Sequence, residues 1–159
     1  MKKFVKEYLP YVLILLVIIL LRIYVVTPVT VDGNSMNDTL YPNDLMLLFK
    51  VGNIERYDIV VANHDNKKLI KRVIGMPNDK IKCVSGILYI NNEEDTSGYG
   101  YGENIDFPEY TLKDDEYFLI GDNRSDSFDS RYFGPVKKED IVGKANFIIF
   151  PFNRFGSVD

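Results

Sequence analysis

The chain has 159 residues, 46% hydrophobic and 26% charged, with a formal net charge of −4. That length and balance suit one globular domain with an appendage. One histidine and one cysteine exclude a disulfide framework and a zinc site of the usual kind, and no phosphate-cradling glycine pattern is present.

The first element is membrane-directed. Lys2, Lys3 and Lys6 precede an apolar stretch at residues 9–26, broken by Arg22 near its far end. As a helix these 18 residues span about 27 Å, close to the ~30 Å hydrocarbon thickness of a bilayer. Pro10 is expected in the first turn of that helix, where its missing N–H is harmless. The lysines place residues 1–8 in the cytoplasm, residues 9–26 across the membrane and residues 27–159 outside. A cleaved signal peptide shares the basic start and the apolar run. It also needs small residues in an Ala-x-Ala arrangement after the run, and the first alanine is Ala62, which favours an uncleaved anchor. Four cations against Glu7 give residues 1–26 a net +3, leaving −7 on residues 27–159. That argues against nucleic acid or a polybasic lipid-binding face.

Beyond the anchor the chain reads as short strands between turn signals. Residues 27–32 are β-branched and extended. Residues 45–49, 58–62 and 69–74 are apolar runs, the first preceded by Tyr41-Pro42-Asn43-Asp44. Residues 81–84 and 87–90 flank Ser85-Gly86 as a hairpin. Residues 91–102 are polar and glycine-rich, an expected exposed loop, and residues 116–120 and 141–150 are further strands. Many short strands without a sustained helical period predict a mainly β domain, an antiparallel β barrel or sandwich after one N-terminal transmembrane helix. Cys83 lacks the neighbours of a nucleophile and is expected to be a buried structural thiol.

Three blocks carry residue types that folding alone does not demand. In Gly33-Asn34-Ser35-Met36-Asn37-Asp38-Thr39-Leu40, the small residues before Ser35 allow a tight turn and close approach of a substrate backbone. A serine hydroxyl needs a base within hydrogen-bond reach, and its own N–H can serve an oxyanion. The second block contains Leu69-Ile70-Lys71-Arg72-Val73-Ile74. Strand alternation points Lys71 and Arg72 to opposite faces, so one of them meets an apolar side. Burial lowers a lysine pKa, which a lysine base requires, while a solvated Lys-Arg pair on an edge strand is the plain alternative. The third block, residues 121–131, interleaves Ser127, Asp129 and Ser130 with Arg124 and Arg131, a set able to hold an amine and balance its charge. Serine with lysine builds a hydrolase without histidine, and the lone histidine here is His64.

Taken together, the anchor, the Ser-Met block, Lys-Arg-Val-Ile-Gly-x-Pro and Gly-Asp-Asn-Arg-x-x-Ser-x-Asp-Ser-Arg-x-x-Gly at 121–134 resemble the bacterial type I signal peptidases, in their short Gram-positive-like form. The resemblance covers nearly the whole chain. It implies a mostly antiparallel β fold, Ser35 as nucleophile and Lys71 as general base. It further implies that Ser127 orients the lysine and that Asp129 and Arg131 support the site. Met36 and Ile70, beside the dyad residues, are expected to bind substrate. The implied activity is removal of signal peptides from secretory precursors, with small residues at the first and third positions before the cut. No cofactor or metal is implied, and the lipid bilayer is an expected partner, touched by an apolar rim within residues 147–155. The chain departs from the family pattern at Asp38, where proline is usual, and at Asn78, where glycine is usual. A carboxylate at Asp38 would raise the pKa of a neighbouring Lys71, and asparagine is the mildest replacement if residue 78 is left-handed. Rival readings are a specialised processing peptidase for pilin-like or conjugation proteins, and a catalytically inactive anchored binding relative.

Overall fold

The computed structural model describes residues 2–158. Helix α1 (Lys2–Tyr24) leads into twelve strands: β1 (Val26–Thr30), β2 (Leu45–Phe49), β3 (Ile59–His64), β4 (Lys67–Gly75), β5 (Lys80–Val84), β6 (Ile87–Ile90), β7 (Glu93–Glu94), β8 (Phe107–Thr111), β9 (Glu116–Ile120), β10 (Val136–Lys137), β11 (Ile141–Phe150) and β12 (Gly156–Ser157). A one-turn helix, α2 (Ser130–Phe133), lies between β9 and β10.

Within α1, residues Lys6–Tyr24 are long and apolar enough to cross a membrane, and none of that stretch is buried against the rest of the chain. The helix begins earlier than the apolar run, because the lysines and Glu7 are good helix formers. Pro10 therefore stands inside the helix rather than in its first turn, where it removes one backbone hydrogen bond. The helix also stops sooner than expected, with Val26 already in β1. Its terminal carbonyls find partners in the β domain: Thr27 Oγ1 donates to the Arg22 carbonyl at 2.7 Å, and Lys50 Nζ donates to the Ile23 carbonyl at 2.8 Å. A cation at a helix C-terminus is favourably placed in the field of the helix.

All strand pairs are antiparallel. The larger sheet runs β1-β2-β11-β3-β4-β9-β10, with β12 added to β11, and the smaller runs β7-β6-β5-β8. Strand β3 explains why one run can be apolar throughout. Its Ile59 and Val61 pack with Met36, Leu40, Met46 and Ile148, while Val60 and Ala62 pack with Val73, Leu119 and Val136 on the other face. A strand covered on both faces does not alternate. The hairpin at Ser85-Gly86 has positive φ at both residues, 54° and 77°, as a two-residue turn between twisted strands requires. Asn78 has φ 71°, the left-handed conformation in which asparagine replaces glycine most easily. Strands β8, β10 and β12 and helix α2 were not legible in the sequence, being short or interrupted by Pro108 and polar residues.

The loop of residues 91–102 is not simply exposed. Glu93 and Glu94 pair with β6, and the segment beyond them folds back over the third block: the Tyr101 N–H donates to the Asp122 carbonyl at 2.8 Å and the Arg124 N–H to the Tyr101 carbonyl at 2.9 Å. Cys83 is buried beside Asp106, and burial with that neighbouring carboxylate pushes its thiol pKa up.

Candidate active site

Ser35 lies on a compact turn after β1. The Asn37 N–H donates to the Asn34 carbonyl and the Leu40 N–H to the Met36 carbonyl, while buried Met36 and Leu40 anchor the turn in the core. The turn is held from the other side by the third block. The Asn123 N–H donates to the Ser35 carbonyl at 3.0 Å, and Asn123 Nδ2 to the Asn34 carbonyl at 3.2 Å. Among the described residues the Ser35 N–H has no acceptor, so it is free to serve an oxyanion.

Lys71 comes from β4, and its Nζ stands 2.7 Å from Ser35 Oγ. The alternative of a solvated Lys-Arg pair on an edge strand does not hold, and not one but both cations are enclosed: Lys71 is 3% and Arg72 1% exposed. Strand β4 is covered on both faces in its second half, so each cation meets a separate set of partners. Arg72 reaches Asp122 with Nε at 2.9 Å and Nη2 at 2.8 Å, donates to the Tyr57 carbonyl, and lies 3.9 Å from the Tyr99 ring centre. Thr39 Oγ1 donates to the same Asp122 carboxylate at 2.6 Å. Asp122 thus joins the Ser35 turn, β4 and the third block at one point.

Burial pushes the Lys71 pKa down from 10.5 to about 8. Asp129 opposes that shift, Arg131 adds to it, and Asp122 and Asp126 oppose it more weakly. Asp38 is not among the charges that act on Lys71, so its expected effect on the base is not seen. It is exposed and acts instead on the Tyr101 phenol.

The remaining residues of the third block are close by but arranged differently from the expectation. Ser127 Oγ donates to Asp129 Oδ2 at 2.5 Å, and among the described residues no hydrogen bond joins it to Lys71. The reason is the fully buried Asp129 carboxylate, which gathers every nearby donor: Arg131 at 2.8 and 2.9 Å, the Gly121 N–H at 2.9 Å and Ser127. Ser130, which caps nothing in the dyad, accepts from the Leu119 N–H. Asp129 and Arg131 therefore fix the backbone beside the dyad. His64 stacks on Phe133 with ring centres 3.9 Å apart and takes no part.

Several residues of the site escaped sequence reasoning. Arg72 and Asp122 were visible as charges within apolar runs, the sort of residue that needs a buried partner. Gly121 gave no signal beyond its place in a motif. A Cβ there would come within 2.5 Å of the Ser35 carbonyl oxygen and would overlap Ser127 Oγ as well. Glycine at 121 lets the end of β9 and the Ser35 turn touch.

A cleft of about 120 Å³ opens beside the dyad, lined by Ser35, Lys71, Met36, Ile70, Val29 and Val31 among others. Met36 and Ile70, the expected substrate contacts, both face it. On one side β1 is an edge strand. On the other, β4 pairs with β9 from Arg72 onward, so its first half has an unpaired edge toward the cleft.

Comparison with known proteins agrees with this geometry. The family model for signal peptidase, peptidase S26, matches residues 2–150. A signal peptidase I of Streptococcus pneumoniae serotype 4 is 33% identical, with 98% of each chain covered. A signal peptidase I of Bacillus caldolyticus is 38% identical over 92% of this chain and 91% of its own. The crystal structure of a signal peptidase I from Enterococcus faecalis V583 superposes with a TM-score of 0.50 at 27% identity, covering 59% of this chain and 97% of that one. With a serine and a buried lysine at hydrogen-bond distance on an antiparallel β scaffold, the chain belongs to the signal peptidase family, peptidase S26.

Proposed function

We propose that this protein is an anchored serine endopeptidase that removes signal peptides from secretory precursors, with Ser35 as nucleophile and Lys71 as base. The observation that carries the reading is the 2.7 Å contact between Lys71 Nζ and Ser35 Oγ, made by a lysine whose burial brings its pKa to about 8. Neutral Lys71 accepts the Ser35 hydroxyl proton as Oγ attacks the scissile carbonyl. The Ser35 N–H, without an acceptor among the described residues, is available to the developing oxyanion. The protonated lysine returns its proton to the leaving amine, and water then hydrolyses the acyl-enzyme by the same route in reverse. Asp129, with Arg131 and Ser127, holds Gly121 and thereby the backbone against which Ser35 is set.

The substrate enters as an extended strand between the free edges of β1 and β4. A cleft of about 120 Å³, walled by Met36 and Ile70, suits small side chains before the cut. Helix α1 crosses the membrane with Lys2, Lys3 and Lys6 on the cytoplasmic side and the β domain outside. Phe150, Phe152 and Phe155 are more than half exposed and rest on the lipid interface.

The test is cleavage of a precursor with an Ala-x-Ala site by the full chain in detergent, beside Ser35→Ala and Lys71→Met. Cleavage at that bond, lost in both variants, is the expected result. Cleavage that survives either substitution removes the dyad assignment, and a folded wild type inert on the whole precursor panel removes the activity.

A further inference from the structure

A second groove lies on the other side of the nucleophile turn. It has a volume of about 510 Å³ and is lined by Asp38 and Thr39, by residues 98–101, by Asp122, and by Ser157 and Val158 from the C-terminal end of the chain. It shares no lining residue with the cleft beside Lys71. The turn of residues 35–39 separates the two, with Ser35 on one and Asp38 on the other.

The far wall is built to lie close. It has the sequence Gly98-Tyr99-Gly100-Tyr101-Gly102, and Tyr101 bridges Asn123, whose N–H donates to the Ser35 carbonyl. Two steps of about 4.8 Å put the Tyr101 backbone roughly 10 Å from that of Ser35, a distance that about three residues of extended chain cover. The glycines make this approach possible. At Gly100 a Cβ would fall 2.5 Å from Arg124 Nε, and at Gly102 2.5 Å from Ser125 Oγ, and both have positive φ, 84° and 86°. Beneath the strap, Arg72 supports the Tyr99 ring and Arg124 Nη2 donates to the Tyr99 carbonyl at 2.7 Å.

The groove is also polarised. Asp122 is neutralised by Arg72, but Asp38 has no hydrogen-bond or ion-pair partner among the described residues. Asp126 is likewise exposed and unpaired among them. Desolvation raises the pKa of the Tyr101 phenol, which is 43% exposed, and Asp38, Tyr41 and Asp126 add to that shift. The neighbouring cations are committed to other partners: Arg72 and Arg124 are buried, and Arg154, partly exposed, donates to the Thr39 carbonyl at 2.8 Å and pairs with Asp44 at 3.0 Å.

We infer that this groove receives the chain on the far side of the scissile bond, the start of the mature protein, and that Asp38 and Tyr101 select there for a basic over an acidic residue at the second or third position after the cut. The inference rests on the peptidase reading above, since the occupant is the continuation of a peptide held across Ser35. Tyr101 supplies an amphipathic wall for any side chain, and Asp38 supplies the sign of the charge.

The experiment uses the full chain in detergent and precursor peptides sharing one Ala-x-Ala site, with Lys, Gln or Glu at the second or third position after it. The wild type is expected to favour Lys over Glu in kcat/KM by about threefold to fivefold at low salt, the size of an exposed charge pair. The preference fades at about 1 M salt, where the screening length falls to ~3 Å. In Asp38→Asn the Lys-to-Glu ratio falls toward one at low salt, and in Tyr101→Ala kcat/KM drops by about fivefold on all three peptides. Equal rates on the Lys and Glu peptides, or a ratio that Asp38→Asn leaves intact, overturn the inference. Ser35→Ala is the separate control: cleavage that persists in it, or is absent from the wild type on every peptide, overturns the peptidase reading and the groove assignment with it.

Discussion

Arg72 and Asp122, both nearly inaccessible, are joined by guanidinium–carboxylate hydrogen bonds of 2.9 and 2.8 Å, and this pair ties strand β4, which carries Lys71, to the segment that holds the Ser35 turn. Arg72 follows Lys71 on β4, and Asp122 precedes Asn123, which holds the Ser35 carbonyl. Thr39, four residues after Ser35, completes the clasp through the same carboxylate. Moving either half would move Ser35 relative to Lys71.

Asp122→Asn leaves the buried Arg72 charge without its counter-charge. We expect a loss of about 3–5 kcal/mol of stability, read as a lower urea midpoint. The double variant Arg72→Met with Asp122→Leu recovers most of that loss, because it removes both buried charges together. A single variant as stable as the wild type would show that the pair does not hold the site.

Lys71 sets a pH dependence of activity with a definite sign. Only its neutral form is a base, so kcat/KM on an Ala-x-Ala precursor rises with pH through about 8 and levels above it. Lys71→Met removes that ascending limb and lowers kcat by at least about a hundredfold, the usual contribution of a positioned base. A profile flat from pH 6 to 10 in the wild type would exclude Lys71 as the titrating base.

The same group predicts a gain in stability. The native pKa of about 8 lies below the ordinary lysine value of 10.5, so the folded protein carries a penalty whenever Lys71 is charged. That penalty is fully present below pH 8, shrinks between pH 8 and 10.5, and vanishes above. Lys71→Met is therefore expected to be more stable than the wild type at pH 7, by on the order of 2–3 kcal/mol, with the difference closing by about pH 10.5. Urea unfolding at both pH values checks it, and an equal or less stable variant at pH 7 would contradict burial of the charged form.

Gly121→Ala places a Cβ within 2.5 Å of the Ser35 carbonyl oxygen. The turn carrying Ser35 has to move, with a loss of about 1–3 kcal/mol, the usual range for overpacking, and a fall in kcat at least tenfold. A variant with wild-type kcat would mean that the contact between β9 and the nucleophile turn is not needed for catalysis.

The exposed phenylalanines predict a second membrane contact besides α1. Residues 6–24 of α1 are not buried against the β domain, so a chain of residues 25–159, which keeps β1 whole, provides the comparison. Its partition onto lipid vesicles is expected to fall at least tenfold in Phe150→Ser with Phe152→Ser, given about 1.5–3 kcal/mol for each buried aromatic ring. Unchanged partition would assign these rings to another role.

Much was determined by the sequence alone, and the reason is locality. An 18-residue apolar run, strand alternation and a Ser-Gly turn depend on neighbours a few residues apart, so α1, most strands and the β5–β6 hairpin could be read directly. Ser35, Lys71 and the third block stood out because polar residues inside apolar runs need a purpose. Tertiary structure decided what those residues touch. Ser127 donates its hydroxyl hydrogen bond to Asp129, because that fully buried carboxylate collects the donors. Arg72 and Lys71 are both buried, because β4 is enclosed by two layers from separate parts of the chain. Asp38 faces Tyr101 rather than the base, since the Ser35 turn directs successive side chains to different sides. Gly121 is required by an atom 86 residues away in sequence, the Ser35 carbonyl, and no local pattern carries that information.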